Sequence, residues 1–217
     1  PVWQTTSSGK VQYSSRTIAY LHPTRIVWQE TTGSSSIEGI DKLLLSGNGQ
    51  AELVGGKECV IRKRPDGKVS FLLDFGRELQ GGIQIVTGQS SRKEAKVRIR
   101  FGESVSEAMC DITPENGATN DHAIRDFHFT LPWLGVAEIG NSGFRFVRID
   151  VEEPDIDLLL KEVRATFGYR DIPYLGSFKS DNDRLNDIWM TGAYTVHLNM
   201  QEYIWDGVKR DRLVWIG

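Results

Sequence analysis

The stretch Val69–Gly88, VSFLLDFGRELQGGIQIVTG, carries the pattern on which the fold turns. Its first part, Val69–Gly76, is rich in branched and aromatic residues and reads as a strand. Its last part, Gly81–Gly88, reads as another, with Ile83 and Ile85 alternating with Gln84. Arg77–Gln80 between them reads as a short connection. Upstream, ECVIRKR (Glu58–Arg64) is a further strand, closed by Pro65-Asp66-Gly67, where proline presets φ and glycine accepts the turn geometry. Downstream, KVRIRFGES (Lys96–Ser104) sends Val97, Ile99 and Phe101 to one side and Arg98 and Arg100 to the other. That is the spacing of a half-buried strand with its arginines in water.

The same texture continues through DFHFTL (Asp126–Leu131), GFRFVRIDV (Gly143–Val151) and LLKEVRATFGYR (Leu159–Arg170). In the second of these, Phe144 and Phe146 are followed by Val147 and Ile149, so the apolar face slips phase once, with Arg145 and Arg148 expected toward water. Short strands at regular intervals, without a helical pattern between them, predict a mainly β chain: an antiparallel, jelly-roll-like β-sandwich closed by Val163–Tyr169. The first 50 residues are polar. Thr17–His22 and Arg25–Thr31 read as strands, Gly33–Ser36 as a turn, and Leu43–Leu45 as a short strand or core contact. Their expected role is to cover a sheet edge or begin the sandwich.

After Phe178 the period changes. Leu185, Ile188, Trp189, Gly192, Val196 and Met200 recur at spacings of three and four, predicting an amphipathic helix over Asp183–Met200 capped by Ser180 or Asp181. One such helix after a sandwich has no partner for its apolar stripe. A domain boundary near residue 172 follows, with a sandwich over 1–171 and the opening of a second, helical domain over 172–217.

Composition narrows the function. A net charge of −3 with no basic tract gives nucleic acid no binding surface. No apolar run of about 18 residues is present to span a membrane. Cys59 and Cys110 lack CxxC spacing, which points to neither zinc nor thiol redox chemistry; free thiols or one disulfide both fit. The loop Ser104–Ala123 carries Asp111, Glu115 and Asp121, acids of the type that ligate calcium but without EF-hand alternation. His122 and His128 read as surface or hydrogen-bonded histidines. No metal and no cofactor is expected. The chain opens on Pro1 with no signal peptide, a start that natural processing or trimming both explain.

The last stretch, Gln201–Gly217 (QEYIWDGVKRDRLVWIG), sets Trp205 and Trp215 among Asp206, Asp211, Lys209, Arg210 and Arg212. Aromatic planes beside carboxylates suit sugar chemistry, where rings stack on apolar sugar faces and carboxyl groups move protons. The same residues equally suit a core-packing loop with surface ion pairs.

Together, SDNDRLNDIWMTGAYTVHLNM and this final stretch resemble the opening of the catalytic domain of glycoside hydrolase family 78, the α-L-rhamnosidases. That family has an entry helix followed by a signature D-x-x-x-R-[DE]-R/K-L-x-W-x-G-D. Asp206, Arg210, Asp211, Arg212, Leu213, Trp215 and Gly217 fit it in order. LDFGRELQGGIQI, VRIRFGES, the ITPENGATNDHA loop and GFRFVRI are similar to the sandwich that precedes the barrel, so the resemblance covers roughly residues 70–217.

The resemblance implies a truncated (α/α)6 barrel beginning at the C-terminal helix, and inverting hydrolysis of terminal α-L-rhamnosides by the intact parent. It places Asp211 at the general-acid position, where the family usually has the longer Glu. Asp206 and Arg210 match positions that hydrogen-bond sugar hydroxyls, and Trp215 matches an aromatic platform. The general-base glutamate lies beyond the end of the chain, so the fragment itself is expected to be inactive. The implied partner is a rhamnoside-containing glycan or glycoside, and the implied setting of the parent is periplasmic or secreted, with cytoplasmic members known. Two alternatives stand beside this: a non-catalytic carbohydrate-binding or structural sandwich, and a same-fold glycosidase for another sugar.

Overall fold

The computed structural model describes residues 3–5, 11–13, 16–53, 58–113 and 125–209. In chain order the strands are β1 (Trp3–Thr5), β2 (Val11–Tyr13), β3 (Arg16–Leu21), β4 (Arg25–Thr31) and β5 (Ser36–Glu38), then a 3-10 turn at Ile40–Leu44. β6 (Cys59–Lys63), β7 (Val69–Thr87) and β8 (Glu94–Gly102) lead to a short helix α1 (Val105–Met109). β9 (Asp126–Pro132), β10 (Gly135–Val151), β11 (Ile156–Arg170) and the helix α2 (Asp183–Asn199) follow among the described residues. The architecture is an antiparallel β-sandwich followed by one main helix.

β7 is its centre. The sequence reads two strands joined by Arg77–Gln80, but the chain runs as a single strand of 19 residues. The apparent connection is where β7 changes neighbours. Its first part pairs with β4, from Thr31↔Val69 to Arg25↔Asp74, and its second part pairs with β11, from Phe167↔Gly81 to Leu160↔Thr87. β10 follows it along both parts. Gly76 and Arg77 are exposed at the crossing, which is why the segment looks polar in sequence. Gly81, at φ +146°, is required there: a Cβ would sit 1.9 Å from the Thr166 carbonyl oxygen on β11.

The phase slip in β10 has a physical cause. Its register against β7 shifts between Phe144 and Phe146, so Phe144 and Phe146 enter different clusters. Phe144 packs edge-to-face on Phe101 (4.9 Å) and Phe75 (5.6 Å) in the main core. Phe146 joins Leu72 and Ala108 beside Trp28 and Met109.

The arginines read as solvated are instead counter-ions. Arg100 is only 2% exposed and donates to Asp111 (2.7 Å) and Asp150 (3.0 Å). Arg98 grips Asp126 through two bonds of 2.8 and 2.6 Å. Arg145 donates twice to the buried Asp74, and Arg148 donates to Asp150. A buried charge is costly unless paired, and the two buried members of this set, Arg100 and Asp74, each have charged partners. Asp111 is thereby committed to arginine; Glu115, Asp121 and His122 lie outside the described residues. His128 is exposed and pairs with Glu152 at 2.9 Å.

Two open readings are resolved and one expectation is corrected. Leu43–Leu45 is no strand: the 3-10 turn inserts Leu43 fully into the core. The cap of α2 is Asn182, whose side chain accepts from the Arg184 N–H (3.0 Å), while Ser180 accepts from the Asn182 N–H. Cys59 and Cys110 are both free thiols, and burial pushes Cys59 up to about 12. Among the described residues no helix is long and apolar enough to cross a membrane.

Candidate functional site

α2 meets the sandwich through a face that the periodic stripe does not predict. Leu198 is 4% exposed in the main core, and Tyr194 packs beside it. The Tyr194 hydroxyl donates to the Glu78 carbonyl at the β7 crossing (2.5 Å). His197 Nε2 donates to the Arg170 carbonyl at the end of β11 (2.6 Å), which leaves Nδ1 to accept from the Tyr174 hydroxyl (2.9 Å). The predicted stripe points elsewhere. Leu185, Ile188 and Val196 are all about half exposed or more.

The chain after α2 then folds back on the sheet. Gln201 is buried and donates to the carbonyls of Gly168 (3.1 Å) and Leu198 (2.9 Å), and Arg170 donates to the Gln201 carbonyl. The Trp205 N–H donates to the Asn199 carbonyl, closing a compact loop. Val208 joins the core over Gly143, where a Cβ would lie 2.3 Å from its Cγ2. Asp206 is half-buried within this docked segment. Arg210, Asp211 and Trp215 lie outside the described residues.

The fold-back encloses a cleft of about 550 Å³ between the loop and the sheet. That volume is typical of small-molecule sites. Tyr20, Tyr169 and Trp205 supply its aromatic surface. Tyr169 is held flat on Phe167 (4.9 Å, 14° between rings), and the Arg164 guanidinium lies 4.1 Å from the centre of the Tyr20 ring. Gln80 and Asn141 supply amides, joined by a 2.7 Å bond from Gln80 Nε2 to Asn141 Oδ1. Arg16 is paired with Glu202 across the rim, and the Glu138 carboxylate accepts from the neutral Gln84 amide. Of the two tryptophans singled out in the sequence, Trp205 reaches this cleft.

Sequence reasoning missed the other lining residues, because they come from four strands separated by most of the chain. One signal was available. Gly81, Gly82, Gly140 and Gly168 all sit inside strands and all line the cleft. Interior strand glycines mark a close approach of backbone or ligand.

A second titratable cluster lies at the seam. Glu78 Oε1 is sealed from solvent and has no hydrogen-bond partner among the described residues. Burial, then the charge of Glu103, pushes the Glu78 carboxyl up to about 8, against the opposing pull of Lys209. Lys209 bonds Glu107 and lies 3.9 Å from Glu103. Glu107 in turn accepts from the Glu103 N–H and, with Ser104, caps α1. Glu78 is therefore a neutral acid at pH 7. That is the protonation state a general acid needs; the residue is half-buried, with Oε1 sealed from solvent.

No family model matches the chain, and no curated protein matches it. Solved structures do. The rhamnosidase from Klebsiella oxytoca, solved with rhamnose bound, superposes with a TM-score of 0.65 at 16% identity, over 93% of this chain and 39% of its own. A family 78 rhamnosidase of Bacillus sp. GL1 gives 0.60 at 20% identity, over 82% of this chain and 17% of its own. The chain thus spans well under half the length of either protein. The sandwich with its C-terminal helix has the fold of part of a family 78 rhamnosidase.

Proposed function

We propose that this chain is the accessory sandwich, residues 1–171, and the opening of the catalytic domain, residues 172–217, of an inverting α-L-rhamnosidase. The observation that carries this is one of sequence set on structure. The signature Asp206…Arg210-Asp211-Arg212-Leu213…Trp215…Gly217 follows directly on α2, a helix tied to a rhamnosidase-like sandwich at Glu78 and Arg170. In this reading Asp211 protonates the leaving glycosidic oxygen while a glutamate further along the parent activates water on the opposite face of the sugar. Asp206 and Arg210 hold sugar hydroxyls, and Trp215 stacks on the ring. Because Asp is one methylene shorter than Glu, the backbone must bring Asp211 closer to the leaving oxygen.

The test is hydrolysis of an aryl α-L-rhamnoside by the polypeptide that continues this chain into its barrel, with Asp211→Asn beside it. Turnover that falls at least ~100-fold in the variant fits general-acid catalysis. Full activity in the variant removes Asp211 from the role. The 217-residue chain alone is expected to hydrolyse nothing, and reproducible turnover by it contradicts the division of labour proposed here.

A second reading, a non-catalytic carbohydrate-binding sandwich, is favoured by the aromatic and amide lining of the cleft. Lack of turnover in the continued polypeptide, with sugar binding retained, selects it.

A further inference from the structure

We infer that the cleft between the sheet and the 201–205 loop is a binding subsite for a neutral pyranose. The choice of rhamnose as the sugar rests on the proposed function; the cleft itself does not. Three features define the ligand class. Aromatic surface from Tyr169 and Trp205 suits the apolar C–H face of a sugar ring. Arg16 is paired with Glu202 at the rim, which leaves Glu138 as the one lining carboxylate with no ion-pair partner among the described residues, a balance that disfavours an anionic ligand. Paired charges and amides instead give fixed donors and acceptors for hydroxyl groups, which both donate and accept.

The floor is built for close approach. Gly168 on β11 is extended, and a Cβ there would first meet Gln80 Oε1 at 3.1 Å, then Gln201 Oε1 and the Gln80 carbonyl at 3.9 Å. A Cβ at 168 thus presses on a flexible side-chain oxygen and comes no nearer than 3.9 Å to backbone, at a position that lines the cleft. With glycine there, Gln80 presents Oε1 to the space, its Nε2 being used on Asn141. Gln201 borders the same position, its amide fixed on the Gly168 and Leu198 carbonyls. The subsite consequently exists only while the loop after α2 is docked on the sandwich. Sugar bound there touches both parts of the chain and ties them together, stabilising the docked loop by mass action.

The experiment titrates methyl α-L-rhamnopyranoside into the 217-residue chain by calorimetry, with Gly168→Leu and Trp205→Ala alongside. The inference predicts binding with a Kd on the order of 1 mM, weakened at least ~10-fold in both variants. Gly168→Leu must keep the far-ultraviolet circular dichroism of the parent chain, so that plugging is separated from unfolding. Absence of binding at saturating sugar, or unchanged binding in a folded Gly168→Leu, overturns the subsite. If the continued polypeptide still hydrolyses rhamnoside in that case, the inference fails alone and the proposed function stands. Should methyl α-D-glucopyranoside bind and be blocked by Gly168→Leu while rhamnoside neither binds nor is hydrolysed, the subsite stands and the rhamnosidase reading fails.

Discussion

The Tyr194 hydroxyl donates a 2.5 Å hydrogen bond to the backbone carbonyl of Glu78, joining the middle of α2 to the point where β7 exchanges β4 for β11. The carboxyl of the same Glu78 is buried and partly unsatisfied. One residue therefore anchors the helix with its backbone and sets the acid–base behaviour of the seam with its side chain.

The pH dependence follows from the sign of the shift. Glu78 titrates at about 8 in the folded chain against an ordinary value of 4.5, so its stabilising contribution is complete below 4.5 and is lost as pH rises toward 8. Glu78→Gln, which keeps the neutral shape, is expected to flatten that fall and to exceed the parent chain in stability at pH 9 by on the order of 1–3 kcal/mol. Urea denaturation between pH 5 and about 9 reads it. A parallel decline in both proteins would place the pH dependence elsewhere.

Asp74 gives the opposite sign. Burial disfavours its charge, but bonds from Arg145, the Gly76 N–H and Arg25 outweigh it and hold the carboxyl below its usual range. Its contribution is present above the ordinary carboxylate value and lost as pH falls through the lowered one. Asp74→Ala is expected to cost about 2–4 kcal/mol at pH 7, with the deficit shrinking in acid. A loss below ~0.5 kcal/mol at pH 7 would show that Arg25 and Arg145 are satisfied by water.

The two faces of α2 should respond differently. Leu198→Ala removes a core side chain and is expected to cost about 2–4 kcal/mol. Ile188→Glu, on the exposed stripe, is expected to stay within ~0.5 kcal/mol of the parent chain. A large penalty at Ile188 would mean that the stripe is packed in solution.

Much of the sandwich was legible in sequence because its signals are local. Alternation in Lys96–Ser104 gave β8, and the phase slip read at Phe146–Val147 lies next to the β10 register shift between Phe144 and Phe146. What local signals do not carry is long-range pairing. Arg77–Gln80 looks like a connection because Gly76 and Arg77 are exposed, and only the partners on β4 and β11 show it to be mid-strand. Arg100 looks solvated until Asp111 and Asp150 arrive from other segments. The cleft was illegible for the same reason: Tyr20, Gln80, Asn141 and Tyr169 meet only when four strands align. Of the proposed signature residues, Asp206 sits in the docked segment, and Arg210, Asp211 and Trp215 are outside the described residues.

The most direct test of the central claim is the anomeric form of the first sugar released from an aryl α-L-rhamnoside by the polypeptide that continues this chain, followed by proton magnetic resonance. Two carboxyl groups acting with an intervening water predict β-L-rhamnose as the initial product, turning into the anomeric mixture only afterwards. Initial release of α-L-rhamnose would contradict the inverting mechanism, and no release at all would contradict the rhamnosidase.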